Sequence, residues 1–517
     1  MGCLGCPGMG LVSLGVFVRQ KRNASGKISV QVIDKSSGKY RVIQTIGSSS
    51  DPSLVSELVK RANQWIENRH GNLQIDFSDD VRLSKAVLDG VEGFKQIGLD
   101  LLLGKVFDQI GFNRIPDPYF RYLVIYRLAY PKSKLKTTEY LYRHHQLDWS
   151  EDQLYRYLDK LYATQADLVQ RISYEHTRKI LGESISIVFY DVTTIYFEID
   201  QEDELRKTGF SKEGKHQNPQ IVLGLLVGKG GYPLTYDIFE GNKFEGQTML
   251  PVIQAFQKKH HLNELVIIAD SGLLSQANIE QLQKERHQFI LGARIKNESL
   301  NIKEKILELS LENGQHAVIN KGDLRLIVTF SEYRARKDLR NREKGLERLK
   351  KQLSKGRLTK ANINKRGYNK YLKLEGDMSV TIDEEKFDLD AGWDGLKGYL
   401  TNADLTTEEI LENYGQLWQI EKAFRVSKTD LKIRPIYHRL QRRIEAHICI
   451  TFAAYKIYKE IDRLLKKKES KLSPEKAIEI AKSIFEIQLK SPSTKTPIKK
   501  TLLVNAEQNY LAQLFEF

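Results

Sequence analysis

A chain of 517 residues, 41% of them hydrophobic, is long enough for several domains and a sizeable core. A formal net charge of +15 favours polyanionic partners over acidic ones. Cys3, Cys6 and Cys449 are the only cysteines, which excludes a disulfide framework and fits a reducing cytosol.

Residues 1–15 are apolar and glycine-rich, and the first positive charge is Arg19. A secretory signal places its charge before the apolar part, and a membrane span is longer, so neither fits. Cys3 and Cys6 have no second Cys or His pair at zinc-finger distance, and position 6 is Cys where an acylation start has Ser or Thr. A disordered leader is expected. Elsewhere no stretch reaches membrane-spanning length, so a soluble, cytoplasmic, nucleoid-associated protein without a membrane partner is expected.

Residues 16–75 read as a small β+α unit. Positions 28–33 and 40–46 alternate at period two around Ser36-Ser37-Gly38, and Asp51 can cap a helix running to about Arg69. The basic run Arg19-Gln20-Lys21-Arg22-Asn23 suits a phosphate contact and a solvated hairpin edge equally. Residues 80–181 read as helical. Asp148-Trp149-Ser150-Glu151-Asp152 precedes Leu154, Tyr157, Leu158 and Leu161, a capped amphipathic helix. This region is either a helix-turn-helix-like DNA-end-binding or dimerisation module, or a bundle packed on the core.

From residue 184 the pattern becomes three strands, then helix, strand, helix, strand. The apolar run 185–190 ends at Asp191, and a hairpin signal, Gly228-Lys229-Gly230-Gly231-Tyr232-Pro233, separates the next two strands. Residues 247–260 read as helix, 265–269 as a buried strand ending at Asp270, 275–286 as helix and 289–295 as strand. That order is an α/β layer pattern with its first part over 184–296. About a hundred residues, 297–395, then intervene, too many for a loop and so expected to form an insertion domain. This stretch has β-like segments at 324–330 and 378–389 and a basic helical stretch over 334–373 that suits a DNA-facing surface. The core resumes over 396–460, where Thr406 opens the helix that bears Glu421. A helical tail over 461–517 contains a helix at 474–489 and a Ser/Pro/Thr/Lys linker at 491–500.

Taken singly, Asp191, Asp270 and Glu421 are ordinary turn or cap acids. Together, two strand-end aspartates and a helical glutamate are the arrangement by which an RNase H-like fold holds two divalent metals. Phosphodiester cleavage needs an activated attacking oxygen and a stabilised leaving oxygen, which two ions about 3.5–4 Å apart supply. Two Mg²⁺ or Mn²⁺ ions accept hard carboxylate ligands, with Asp191 as the bridge and Asp270 and Glu421 flanking it. On one continuous helix, Tyr414, Leu417, Glu421, Arg425 and Lys428 share a face, where a hydroxyl and two cations could grip phosphates. Lys207, Lys212, Lys215 and His216 lie in a loop that suits DNA contact, as do Arg434 and His438 beyond the glutamate.

These residues resemble bacterial insertion-sequence DDE transposases of the insertion-sequence-four superfamily. That family's third carboxylate lies in a Y-x2-R-x3-E-x6-K signature, which Tyr414, Glu421 and Lys428 match in register. The arginine position is Leu417 here, and Arg425 stands one turn beyond Glu421. Phe189-Tyr190-Asp191-Val192-Thr193-Thr194 and Ile268-Ala269-Asp270-Ser271-Gly272 are similar to the two aspartate segments, and the likeness covers about residues 184–455. The resemblance implies an RNase H-like core interrupted by a β-rich insertion domain. It also implies a dimer on double-stranded DNA, hydrolysis at inverted-repeat ends, and attack of the freed 3′-hydroxyl on target DNA. Many relatives excise through a hairpin, for which Trp393 and Tyr368 are candidates to hold a flipped base. The alternatives are an RNase H-like nuclease without strand transfer and a catalytically inactive, transposase-derived DNA-binding protein. The absence of a Gly-x-Ser-x-Gly elbow, together with the basic charge, disfavours an acyl or glycosyl enzyme.

Overall fold

The computed structural model describes residues 16–36, 38–69, 84–182, 185–211, 214–262, 264–273, 275–359, 362–364, 367–375, 379–491 and 496–517. The expected leader, with Cys3 and Cys6, and the loop residue Lys212 lie outside the described residues. The chain divides into two compact units, residues 1–93 with 488–499, and residues 94–487 with 500–517.

In the first unit, strands Val16–Arg22, Ile28–Asp34 and Arg41–Ser49 form an antiparallel sheet in sequential order. The helix Pro52–Arg69 follows, with Asp51 accepting from the Ser53 amide at its start. Val30, Val32, Val55, Leu58 and Ala62 form this unit's own core. The basic run at 19–22 is the second half of an edge strand, not a loop. Its exposed cations blunt an edge that would otherwise invite pairing.

The second unit is built on one mixed sheet of eight strands. They are β1 (Ile187–Tyr196), β2 (Gln220–Gly228), β3 (Tyr232–Glu240), β4 (Val266–Ala269), β5 (Gln288–Ala293), β6 (His316–Lys321), β7 (Leu324–Phe330) and β8 (Leu396–Thr401). Their spatial order is β6-β7-β8-β5-β4-β1-β2-β3. β1, β2 and β3 run antiparallel, while β4 pairs in parallel with both β1 and β5. The run β3-β2-β1-β4-β5, three antiparallel strands followed by two parallel ones, has the order and directions of an RNase H-like core. The β2–β3 turn is possible because Gly230 and Gly231 take φ of 77° and 78°, where a Cβ is strained.

Period-two alternation divides the strands between two cores. Phe189, Leu223, Leu225, Ile268 and Ile290 face one layer of helices, and Val188, Tyr190, Leu226, Ile267 and Phe289 face the other. The first layer contains the long helix Gln441–Lys467, buried along most of its length, the helix Trp418–Thr429, and the helices Pro118–Ala129, Glu151–Lys160 and Ala166–Ile180. The helices between Pro118 and Ile180 therefore share the main core, while Val91–Gln96, inside the segment expected to be helical, is a strand.

Several expectations change here. Residues 297–395 do not all stand apart, because β6 and β7 extend the central sheet, β7 pairing with β8 from Arg325↔Thr401 to Phe330↔Leu396. What projects is a lobe from the helix Glu332–Ser354 through a ribbon (Leu372–Glu375 with Ser379–Ile382) to the short helix Glu384–Leu389, around Leu349, Tyr371, Leu372, Val380 and Phe387. The basic helical stretch thus stops at Ser354, and the β-like segment after it becomes a helix at Glu384, where Asp383 accepts from the Lys386 amide. The tail helix ends at Lys482 and is followed by a strand, Phe485–Lys490, whose Phe-x-Ile-x-Leu alternation has period two rather than 3.6. The expected linker at 491–500 ends inside a further strand, Pro497–Leu502. Among the described residues no helix is long and apolar enough to cross a membrane.

Candidate active site

The sheet register fixes the two aspartates. Tyr190 on β1 pairs with Ala269 on β4 in parallel; Asp191 is the next residue on β1 and Asp270 the first residue past the end of β4. Neighbouring strands are about 4.8 Å apart, and the same pleat position sends both side chains to one face. That face is the one bearing Phe189 and Ile268, onto which the helix Trp418–Thr429 packs through Ile420, Ala423 and Phe424. Glu421 lies in that helix's first turn, where the helix dipole favours an acid. Asp191 is half-buried, and Asp270 and Glu421 are exposed. Asp191 accepts from the Val192 amide at 2.7 Å.

Tyr414 reaches the site by a different route from the one expected. The helix Thr407–Gly415, opened by a Thr406/Glu409 capping box, ends before Gln416, and the glutamate helix begins at Trp418. Tyr414 and Glu421 thus belong to two helices joined by a tight turn, in which the Leu417 amide donates to the Tyr414 carbonyl. The one-face argument fails for Tyr414, although its hydroxyl still donates to Asp270 Oδ1 at 3.4 Å. Burial first, and then the charge of Asp270, push the Tyr414 phenol well above its ordinary range, so it keeps its proton and can donate it to the carboxylate. Room for it comes from Gly292 on β5. A Cβ there would fall 2.5 Å from the Tyr414 hydroxyl oxygen and 3.0 Å from the Ser271 amide nitrogen.

The site also contains Lys397, which sequence reasoning missed. It lies on β8, two residues before Tyr399, and its ammonium is 4.5 Å from the Tyr414 ring centre and 5.1 Å from that of Tyr399. Burial pulls its pKa down, and Asp270 and Glu421 oppose that shift through space, so Lys397 is in electrostatic reach of both acids. The signal was present: Lys397 and Tyr399 alternate with the buried Gly398 and Leu400 along the strand. Lys397 also borders a cavity of about 540 Å³ that Arg334, Tyr368 and Trp393 line, with Lys296 5.8 Å over the Trp393 ring.

The remaining candidates divide. Lys215 and Arg434 converge on one ring, that of Tyr196 at the end of β1, with cation-to-centroid distances of 5.6 and 5.8 Å. The loop around Lys215 is pinned by Lys207, which bridges to Gln220, and by the Ser211 amide donating to His216 Nδ1. Arg434 and His438 line a second, cationic cavity. Arg425 instead lines a depression with Asp430, Asp462 and Glu475, while Lys428 is half-buried on the glutamate helix.

Among the described residues, no three His, Cys, Asp or Glu side chains are grouped closely enough to hold one metal ion. The donor set at the sheet face, carboxylates without thiol or imidazole, is chemically suited to hard divalent cations.

The chain belongs to the transposase DDE domain family, whose model matches residues 182–457, more than half of the sequence. That span contains all three acids, Tyr414 and Lys397. No curated protein matches the chain. Among solved structures, it is similar to a cryo-EM structure of a piggyBac transposase synaptic complex with hairpin DNA. The identity is 10% and the TM-score 0.38, with 74% of this chain and 76% of that one covered.

Proposed function

We propose that this chain is the transposase of a bacterial insertion sequence of the insertion-sequence-four kind, with Asp191, Asp270 and Glu421 as catalytic acids. The observation that carries the reading is the register that puts Asp191 beside Asp270 on the sheet face covered by the Glu421 helix. Two Mg²⁺ or Mn²⁺ ions held by these carboxylates would activate the attacking oxygen and stabilise the leaving one. The protein's own groups do the rest. Tyr414 orients Asp270, Lys397 offsets part of the acids' charge, and Lys215, Arg434, Arg425 and Lys428 offer cations to the DNA backbone. Trp393 and Tyr368, which border the same cavity as Lys397, are placed to receive an unstacked base. Both hydrolysis at inverted-repeat ends and strand transfer are in-line displacements at phosphorus and share the site. The working state is a dimer on two DNA ends in the bacterial cytoplasm, associated with the nucleoid.

The test is nicking of a duplex carrying the inverted repeat that flanks the reading frame, in Mg²⁺. Asp191→Asn, Asp270→Asn and Glu421→Gln are each expected to lose at least about 10³-fold in rate while binding the end with near wild-type affinity. Wild-type cleavage by any of the three would remove that residue from the site. Cleavage without joining to target DNA would leave a nuclease.

A further inference from the structure

Two cations are buried away from the acids, in a cavity of the second unit of which the proposed chemistry uses only Arg434. Arg127, from the helix Pro118–Ala129, is 6% exposed, and Lys134, at the first turn of the helix Lys134–His145, is 5% exposed. Both line a cavity of about 550 Å³. Among the described residues neither forms an ion pair, and Arg127 Nε has no hydrogen-bond partner. Arg127 Nη2 lies 3.5 Å from His447 Nδ1, and His447 Nε2 donates to the Ile433 carbonyl, so the histidine is a neutral acceptor and adds no counter-charge. Burial holds Lys134 and His447 well below their ordinary values and draws Arg127 down to about 10. Three more cations, Lys132, Lys432 and Arg434, stand at the cavity's edge. The one acid lining it, Glu151, accepts from the Tyr155 hydroxyl at 2.6 Å.

Two uncompensated buried cations side by side are costly in a folded protein. Their arrangement makes sense when an anion completes it. Arg434 ties the cavity to the rest of the molecule, since it also covers Tyr196 at the far end of β1, five residues past Asp191. Five residues of strand span about 17 Å, or about five base-pair steps at 3.4 Å each. One duplex can therefore serve both places.

We propose that this cavity binds a phosphodiester of the DNA backbone, with Arg127 and Lys134 as its charged floor and Lys132, Lys432 and Arg434 as its rim. The inference rests on the DNA-transposase reading, and the experiment separates the two. Full-length wild type, Lys134→Met, Lys134→Arg and the exposed Lys132→Ala are melted with inorganic phosphate against chloride at matched ionic strength. Each is then titrated with salt on a 30-bp duplex of arbitrary sequence. Phosphate is expected to raise the wild-type Tm and to leave Lys134→Met unmoved. Without phosphate, Lys134→Met is expected to melt at or above wild type, because a merely structural lysine would cost stability when removed. The slope of log Kobs against log salt is expected to fall by about one in both Lys134→Met and Lys132→Ala. Lys134→Arg is expected to keep both responses. A Lys134→Met that retains the phosphate shift overturns the site. A lost phosphate shift with an unchanged DNA slope overturns the DNA assignment in favour of a free anion. A wild type that responds to phosphate but has no salt-dependent DNA affinity overturns the DNA reading itself.

Discussion

Lys397 places a cation within electrostatic reach of two carboxylates, Asp270 and Glu421, on the face where a divalent ion would sit. Its ammonium and an incoming ion therefore compete for the same negative potential. At a few ångströms in a well-solvated site such a competition is worth about 1 kcal/mol, or roughly fivefold in affinity. Lys397→Met is expected to lower by about that factor the Mg²⁺ concentration that half-saturates thermal stabilisation of the protein. An unchanged or higher requirement would show that Lys397 does not sense the ion. Tyr414 meets Asp270 by a geometry other than the one its spacing suggests. Its distance in sequence from Glu421 suggested one helix face. Its contact with Asp270 depends instead on a turn at Gln416–Leu417 and on the missing side chain of Gly292, neither of which heptad counting detects.

At the scale of elements, the long helix Gln441–Lys467 places Lys456 fully inside the core, where its ammonium donates to the Thr177 hydroxyl. Burial draws its pKa down to about 7, with Glu460 partly opposing the shift. A lysine depressed in the native state is protonated in the unfolded chain up to its ordinary value near 10.5. Between about pH 7 and that value the unfolded state therefore binds more protons, and stability from this group rises with pH. Below pH 7 the burial cost is present in full. Lys456→Met is thus expected to exceed wild type in Tm most at pH 6, with the gap narrowing by pH 9, as followed by calorimetry. A gap that widened with pH would reverse the assignment. Elements with strong local signals were legible beforehand. These include the helix starts at Asp51, within 148–152 and at Thr406, the Gly230-Gly231 hairpin, the long strand that carries Asp191 and the short one that stops just before Asp270. The Ser150 and Thr406 caps were realised as full capping boxes, with Gln153 and Glu409 as reciprocal partners. The part that stayed hidden depends on pairing between distant segments. Nothing near β6 and β7 states that β8, some seventy residues later, will hydrogen-bond β7 on one side and β5 on the other. Lys397 was missed for the same reason, since its role comes from the neighbours that the sheet gives it.

Across the whole molecule, the charge excess is unevenly used. The lobe's leading helix, Glu332–Ser354, carries nine basic and four acidic residues and presents most of them to solvent, while Arg342 turns inward to Asp394 at 2.6 Å. The lobe leaves the sheet after Phe330 and returns at Leu396, and those two residues face each other across β7 and β8. At its neck the Ser331 amide donates to the Gly395 carbonyl. An excursion of more than sixty residues thus starts and finishes at one rung of a ladder, so its removal asks almost nothing of the strands it joins. Replacing residues 332–394 by a short Asn-Gly turn is expected to leave a chain that still melts cooperatively, with an unaltered far-UV signature for its sheet. Loss of cooperative melting would show that the lobe is a structural keystone. Otherwise it is a detachable cassette as far as the sheet is concerned, able to be lengthened or shortened while the strands beneath it stay paired.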